Sequence, residues 1–204
     1  MAGDCPENRH SIDGAAGVPR PVAPCARAAI DIADPGALLS FAALNALRAE
    51  AGTAIDLLGR AGEVRVRLVA DPEMAAAHMK FSKIPGTTDV LTFDLGASSA
   101  AGGGALDVDI LACVDEARRQ AASRGHTPER ELLLYILHGA LHCLGYDDHD
   151  ERGYQRMHAE EDRILTAIGI GPIFRGTGVP PVEPKPGSES RGTQCCRGTQ
   201  EKCS

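Results

Sequence analysis

The chain has 204 residues, which suits one domain with tails, and 43% of them are apolar, which excludes a wholly disordered protein. No apolar run approaches the roughly 20 residues of a membrane-spanning helix, and the N-terminus lacks the basic start and apolar stretch of a secretory signal. The formal net charge of −7 disfavours a general nucleic-acid-binding protein, although a local basic patch or a metal can still hold RNA phosphates.

The seven cysteines favour a reduced, cytoplasmic protein over a disulfide framework or a zinc ribbon. Their number is odd, and none of them forms a Cys-x-x-Cys pair. Cys113 and Cys143 lie within apolar segments, where a free cysteine commonly packs as a small hydrophobe. The adjacent Cys195 and Cys196 near the C-terminus are interpreted as incidental rather than as metal ligands.

Composition divides the chain into three parts. Residues 1–30 mix Gly, Pro, Ala and Arg without a period, which predicts a disordered N-terminal extension. Residues 173–204 are rich in Pro and Gly and contain Arg-Gly-Thr-Gln twice, which predicts a disordered low-complexity tail. A single folded domain is expected over residues 31–172.

This middle segment mixes predicted helices and strands in the manner of an α/β (α+β) domain. Helix-forming residues with apolar spacing and capping signals predict helices at 37–51, 71–81, 115–124, 127–145 and 151–168. Alternating apolar and polar residues, rich in β-branched types, predict strands at 63–69, 88–95 and 106–112. One mixed sheet of about four strands, covered by helices, is therefore expected.

Two histidines near the end of the fourth predicted helix form the candidate site. His138 and His142 are four residues apart, so both rings project from one helix face and can meet one ion. Gly145 suits the left-handed conformation that ends a helix and reverses the chain. That reversal is expected to bring Asp148 or His149 back toward the rings as a third ligand.

Three protein ligands and one open position are the arrangement of a catalytic zinc, so one Zn²⁺ per chain is predicted. Asp148 holds the third position of the metzincin-like spacing His-x3-His-x2-Gly-x2-x and is preferred as the ligand. His149, a softer donor one residue later, is the alternative. Residues 31–172 are accordingly expected to form a single metal-dependent hydrolase domain.

The group that moves protons is a separate question. Gly139 follows the first histidine, where zincins carry a glutamate base. Asp147, Asp150 or a metal-bound hydroxide is expected to take that role. His126 and His158 are predicted to face solvent.

Three stretches resemble one known family. The run from His138 to His149 is similar to the pattern His-Gly-x-Leu-His-Leu-x-Gly-Tyr-Asp-His of the YbeY family of metal-dependent endoribonucleases. Thr88–Phe93 resembles its Pro-Thr-Asp-Val-Leu-Ser-Phe strand, and Val108–Ile110 its Gly-Asp-Ile strand. The matches follow the family order over roughly residues 35 to 170, and neither tail is included.

The resemblance implies a zincin-like fold with the zinc helix at a cleft and His138, His142 and Asp148 as catalytic residues. It implies a zinc-dependent, single-strand-specific endoribonuclease that acts in 16S ribosomal RNA 3′-end maturation and ribosome quality control. The implied partners are the ribosomal RNA precursor and small-subunit ribosomal proteins, in the cytoplasm, with no membrane and no nucleotide cofactor.

The chain departs from the family pattern at three positions. The third family histidine falls on Asp148, an RNA-facing arginine on Ser82, and an asparagine on His78. Lys80 or Lys83 is expected to replace the lost positive charge. The substrate-binding residues expected from this resemblance are His78, Lys83 and Asp89.

Two other functions compete with the ribonuclease hypothesis. A zinc peptidase or amidase fits the metzincin-like spacing, but Gly139 in place of a glutamate disfavours it. A non-catalytic ribosome-assembly factor, in which zinc only joins helix to loop, fits the loss of the arginine at Ser82. Replacing His142 is expected to unfold such a factor, whereas an enzyme is expected to stay folded without activity.

Overall fold

The computed structural model describes residues 27–96 and 105–173, together with the backbone of a short strand at 195–197. Most of the predicted N-terminal extension and most of the predicted C-terminal tail lie outside these residues. The described part contains one mixed sheet and five helices, as expected for the α/β (α+β) class.

The strands form one sheet in the order β1-β2-β4-β3-β5. Strands β1, β2 and β4 run parallel, β3 is antiparallel to β4, and β5 is parallel to β3. Their bounds are β1 Ala28–Ala33, β2 Gly62–Val69, β3 Val90–Asp94, β4 Leu106–Cys113 and β5 Cys195–Arg197.

The helices agree with their predicted positions to within a few residues. Their bounds are α1 Phe41–Asp56, α2 Asp71–Ser82, α3 Val114–Arg124, α4 Pro128–Cys143 and α5 Glu151–Ala167. The largest difference is at α1, because Asp34 accepts hydrogen bonds from the backbone of Leu38 and Leu39 and holds them in a loop. Ser40 then caps the helix with a bond from Ala43 N.

Two strands fall in segments predicted to be disordered. Strand β1 begins three residues inside the predicted extension, so the N-terminal boundary at residue 30 is wrong. Its pairing with β2 and the burial of Ala28 and Ile32 offset the weak strand preference of an alanine-rich segment. Strand β5 lies in the predicted tail and pairs with the edge strand β3. The disorder prediction is therefore wrong for those three residues.

Helix α4 lies at the centre of the fold, in contact with α1, α3, α5, β3 and β4. Ten of its residues are buried, most of them leucine, isoleucine and alanine. This extensive packing fixes the position of the two histidines at the C-terminal end of α4.

None of the helices in the described ranges is long and apolar enough to cross a membrane.

Helix α2 covers the opposite face of the sheet. Met74 packs there in a small second core with Val69, Leu91 and Cys113. These strand residues alternate with neighbours that point into the main core, as the two-residue period of a strand requires. The sheet therefore has helices on both faces, and α4 and α1 lie on the side of the larger core.

Candidate metal centre

The C-terminal half of α4 presents two imidazole rings side by side. Thr127 caps the helix by accepting a bond from Arg130 N, and Pro128 occupies its first position. Eleven and fifteen residues after the cap, His138 and His142 project from the same face, with 3.1 Å between their Nε2 atoms. That distance leaves room for one ion bound to both nitrogens.

Gly145 reverses the chain directly after these histidines. Its φ of +88° is left-handed. Its N–H bonds to the carbonyl of His142, and Tyr146 N–H bonds to the carbonyl of Leu141. This pair of bonds is a Schellman motif, which satisfies the last carbonyls of the helix. The turn predicted from the sequence is therefore present, and it directs the following loop back over the rings.

The returning loop places Asp148 against both histidines. Its carboxylate oxygens lie 3.9 Å from His138 Nε2 and 3.7 Å from His142 Nε2. His149 turns away instead: its side chain is 73% exposed and its Nδ1 bonds to Asp147. Only Asp148 of these two predicted ligands shares one compact donor group with the pair of histidines.

Each ring is oriented through its second nitrogen. His138 Nδ1 donates to Glu161 Oε1 at 2.9 Å, and His142 Nδ1 donates to the carbonyl of Tyr146 at 3.0 Å. A carboxylate and a carbonyl only accept, so both Nδ1 atoms of the neutral rings carry the hydrogen. The lone pairs of both Nε2 atoms are therefore left for a metal, which is the usual arrangement of metal-binding histidines.

The electrostatics of the two rings differ. Burial lowers the pKa of His138, but the hydrogen bond to Glu161 and the charges of Glu161 and Asp148 outweigh it, so the net shift is upward. Burial and the neighbouring His138 together lower the pKa of His142. His142 is thus held neutral, while carboxylates around His138 favour positive charge at the point where a cation would bind.

The donor set fits a divalent zinc ion. Two imidazole nitrogens and one carboxylate oxygen are ligands that zinc takes at about 2.0–2.2 Å, which separates donors by roughly 3–4 Å. The three distances between His138, His142 and Asp148 fall in or near that range. The two Nε2 atoms also face each other at 3.1 Å, so a single ion can contact both rings.

Glu161 of α5 connects His138 to a third histidine, His158. Its side chain is fully buried, and its two oxygens accept from His138 and from His158 Nδ1, the latter at 2.5 Å. Burial raises the pKa of Glu161, but these two hydrogen bonds outweigh it and the net pKa lies below the usual range. The prediction that His158 faces solvent is wrong, because its side chain is only 15% exposed.

His126 was also predicted to face solvent, and that prediction is wrong too. Its side chain is 9% exposed, and its Nε2 lies 3.0 Å from Glu131 Oε2. Glu131 is fully buried near the start of α4 and also accepts from Arg124 at 2.6 Å. Arg124 and His126 therefore offset the negative charge of the buried Glu131 carboxylate, which is not one of the candidate metal ligands.

A cleft of about 550 Å³ opens beside His138 and Asp148. Its walls come from α3, α4, α5 and the segment before β3, and are mostly polar. The polar side chains along it include Thr88, Asp89, Glu116, Gln120, Arg124, Glu131, Tyr135, Tyr154, His158 and Glu161. A space of this size suits part of a nucleotide chain or another small polar ligand beside the donor group.

Comparison with known proteins adds to this geometry. The sequence profile described as Endoribonuclease YbeY matches residues 38–169. The chain belongs to the YbeY family. A relative with that description from Halorhodospira halophila is 36% identical over 55% of this chain and 74% of its own length. Another from Mycolicibacterium paratuberculosis is 37% identical over 52% and 63%, respectively. A solution structure from Thermotoga maritima covers 68% of this chain and 91% of that one, with a TM-score of 0.46 and 24% identity.

Of the substrate contacts expected from the YbeY resemblance, only Asp89 lines the cleft. His78 is buried in α2, where its Nδ1 bonds to the carbonyl of Gly86, and Lys83 donates to the carbonyl of Lys80. Neither His78 nor Lys83 belongs to the residues lining the cleft. These two expectations are not supported, because α2 packs on the other face of the sheet.

Ser82, which stands where the YbeY pattern has an arginine, supplies no charge to the site. Its Oγ is buried and has no hydrogen-bond partner among the described residues. The nearby Lys80 ammonium lies 4.9 Å above the ring of Phe81 rather than in the cleft. Among the cleft-lining side chains, Arg124 is the one arginine.

The proton-transfer groups expected from the sequence lie outside the cleft lining. Asp147 is 64% exposed and bonds to His149, and Asp150 caps α5 by accepting from Gly153 N at 2.6 Å. A larger residue in place of Gly139 would force a shift, because a Cβ there would lie 2.6 Å from Thr92 Oγ1. The third alternative expected from the sequence, a metal-bound hydroxide, stays a prediction.

Proposed function

We propose that this protein is a zinc-dependent, single-strand-specific endoribonuclease that acts in 16S ribosomal RNA 3′-end maturation and ribosome quality control. The observation that carries the proposal is the donor group of His138, His142 and Asp148 beside the cleft. Membership of the YbeY family supports the reaction class. The proposed partners are the ribosomal RNA precursor and small-subunit ribosomal proteins, in the cytoplasm.

The proposed reaction is hydrolysis of an RNA phosphodiester bond. Zinc bound at this site supplies Lewis acidity and a water of lowered pKa. His138, His142 and Asp148 hold the ion, while Glu161 and the Tyr146 carbonyl keep the rings in the binding tautomer. The closely packed α4 holds the two histidines in place before substrate arrives, so little reorganisation of these donors is needed.

The cleft beside the ligands receives the RNA. Arg124 lines the cleft but pairs with Glu131, and the carboxylates of Asp89 and Glu116 disfavour close approach of additional phosphates. A base-paired duplex is wider and carries charge on two strands, so a single strand is the better fit to this carboxylate-lined cleft.

A cleavage assay tests this function. The zinc-loaded chain is incubated with a 3′-extended 16S fragment, either single-stranded or annealed to its complement, and the products are mapped on a sequencing gel. We expect internal cleavage of the single strand, little cleavage of the duplex, and loss of cleavage with a chelator or with His142→Ala. Zinc-loaded wild-type protein that leaves both RNAs intact would contradict the proposal.

The alternative with a structural observation in its favour is a non-catalytic assembly factor. Ser82 carries no charge where the family pattern has an arginine, and the cleft is rich in carboxylates. In that case zinc joins α4 to the loop before α5, and His142→Ala is expected to unfold. A thermal melt distinguishes the two functions, because the enzyme hypothesis predicts a folded His142→Ala protein.

The zinc peptidase alternative is weaker. Gly139 stands where zincins carry a glutamate base, and a larger residue there would clash with Thr92 unless Thr92 or the backbone shifted. Chelator-sensitive cleavage of casein by the purified chain would favour it again.

A further inference from the structure

One aromatic side chain at the cleft is well exposed to solvent. Tyr154 of α5 lines the cleft together with His138 and Asp148, and it is 46% exposed. Tyr135, the other tyrosine of the lining, is only 5% exposed and belongs to the hydrophobic core. Among the described residues that line this cleft, Tyr154 therefore carries the phenol ring that a ligand can reach.

Contacts within α5 and α4 hold this ring beside the metal ligands. The Tyr154 ring meets the ring of His158 at a centroid distance of 4.0 Å and an interplanar angle of 77°. His158 Nδ1 lies 2.5 Å from one oxygen of Glu161, whose other oxygen lies 2.9 Å from His138 Nδ1. A nearly perpendicular ring contact covers at most one face of the Tyr154 ring. The ring is thus connected to a metal ligand and keeps a face that His158 does not cover.

The charges of the cleft favour a ligand contact that does not depend on phosphate. Arg124 is paired with Glu131, and Asp89 and Glu116 add carboxylates to the lining. Stacking on a neutral aromatic ring depends little on these charges, and every nucleobase offers a flat face for it. The bases of a duplex are paired and stacked on their neighbours, so an unpaired base is the one that can pack on a protein ring. Tyr154 is therefore suited to select single-stranded RNA.

We propose that the Tyr154 ring stacks on one unpaired base of the RNA in the cleft and so contributes to the preference for single strands. This inference rests on the proposed ribonuclease function, which makes RNA the ligand. Tyr154 is a positioning residue: it holds the strand so that a neighbouring phosphate lies beside His138 and Asp148. The chemical class that it recognises is a nucleobase of any identity, because stacking needs a flat face and no base-specific hydrogen bond.

Three substitutions separate the Tyr154 ring from its hydroxyl and from the general effect of losing an exposed aromatic. Tyr154→Ala removes the ring, whereas Tyr154→Phe keeps the ring and removes the hydroxyl. Phe41→Ala is the matched control, because Phe41 is an 80% exposed aromatic at the start of α1 and does not line the cleft. Zinc content and melting temperature are measured for each protein and are expected to match wild type.

Fluorescence anisotropy measures RNA binding in the presence of a chelator, so that the RNA stays intact. The ligands are a single-stranded RNA of about eight nucleotides and the same strand without its bases. We expect Tyr154→Ala to raise the dissociation constant for the intact RNA by about 5- to 100-fold, and Tyr154→Phe and Phe41→Ala to stay within about twofold of wild type. Abasic RNA is expected to bind wild type and Tyr154→Ala equally, because the ring then has no base to contact.

Single-turnover cleavage by the zinc-loaded proteins gives a second reading. Varying the protein concentration yields the half-saturating concentration and the maximal rate. We expect Tyr154→Ala to raise the half-saturating concentration for the single strand by the same factor as the dissociation constant, and to change the maximal rate much less. The preference for the single strand over the annealed duplex should fall accordingly.

Wild-type affinity of Tyr154→Ala for the intact RNA would overturn the proposal. An equal loss of affinity for the abasic RNA would also overturn it, since the ring would then have a structural role. Equal loss with Tyr154→Phe would assign the effect to the hydroxyl instead. If Tyr154→Ala does not fold, equal binding of intact and abasic RNA by wild type overturns the proposal without any variant. Zinc-loaded wild type that cleaves no RNA but shows the expected binding pattern would refute the proposed function and leave the stacking contact in place.

Discussion

Asp148 faces the two imidazole rings, whereas His149 bonds to Asp147 at the surface. We therefore expect Asp148→Ala to lose zinc because one of three protein ligands is removed. His149→Ala, its matched neighbour, is expected to keep about one zinc per chain. Elemental analysis of the purified proteins measures both. Zinc lost with His149→Ala and kept with Asp148→Ala would show that the third ligand has been assigned to the wrong residue.

Glu161 is a second residue on which zinc binding at the proposed site should depend, although it is not one of the predicted ligands. Glu161→Gln removes the negative charge behind His138 and alters the hydrogen bond that fixes its tautomer. We expect the zinc dissociation constant to rise by about 10- to 100-fold. Competition with a fluorescent chelator measures the constant. Glu160→Gln is the control, since Glu160 pairs with Arg163 at the surface and should leave the affinity unchanged.

Sequence reasoning reached the metal ligands but not Glu161 or His158. The spacing of His138 and His142 places them on one helix face whatever the tertiary structure is. The bond from His138 to Glu161 joins residues 23 apart and depends on how α4 and α5 pack. One signal was available: Glu161 follows Met157 by four residues, on the apolar face of α5, where a carboxylate needs a buried partner.

At the scale of elements, the contact of α4 with β3 depends on a missing side chain. A Cβ at Gly139 would lie 2.6 Å from Thr92 Oγ1, so Gly139→Ala must displace the Thr92 side chain, the helix or the strand. We expect the free energy of unfolding to fall by about 1–3 kcal/mol, and zinc affinity to fall as the rings shift. Chemical denaturation with and without zinc measures both effects.

The control for this substitution is a glycine in another helix. A Cβ at Gly52, inside α1, would lie 3.8 Å from Ile30 Cγ2, which is an ordinary contact. Gly52→Ala is therefore expected to raise the free energy of unfolding by about 0.5–1 kcal/mol, because alanine is the better helix former. Equal destabilisation by both substitutions would indicate that the contact between Gly139 and Thr92 has no special role.

Most elements could be predicted because their signals are local. Thr127 and Pro128 mark the start of α4, and Gly145 marks its end by a left-handed turn. Strand β1 is not predicted, for the opposite reason. Three of the six residues of Ala28–Ala33 are alanines and one is an aspartate, so the segment becomes a strand only by pairing with β2. A strand of this kind is determined by its partner rather than by its own sequence.

At the scale of the whole molecule, the hydrophobic core and the metal centre are largely separate. The core is built from α1, α4, α5 and the sheet, and it needs no ion for its packing. We expect a chelator to lower the free energy of unfolding by the binding contribution alone, about 3 kcal/mol when zinc is at 100 times its dissociation constant. The melting temperature should fall accordingly. Cooperative unfolding and the helical circular dichroism signal should remain.

Asp148→Ala is the control for that experiment, since its melting temperature should not respond to the chelator. Collapse of wild type to an unfolded chain when zinc is removed would instead support the structural role of the metal.

The fold class was predictable from the order of helices and strands, whereas the side of the sheet that α2 covers was not. That choice depends on Met74 and its partners in the second core.

The Schellman turn at Gly145 and the cap at Asp150 hold both ends of a four-residue loop, and position 148 lies inside it. Neither anchor uses the side chain at that position. In evolutionary terms, the third ligand can therefore mutate between histidine and aspartate without a change in the fold. A carboxylate is a harder donor than an imidazole. A change of one codon at position 148 is therefore expected to alter which metal the proposed site prefers.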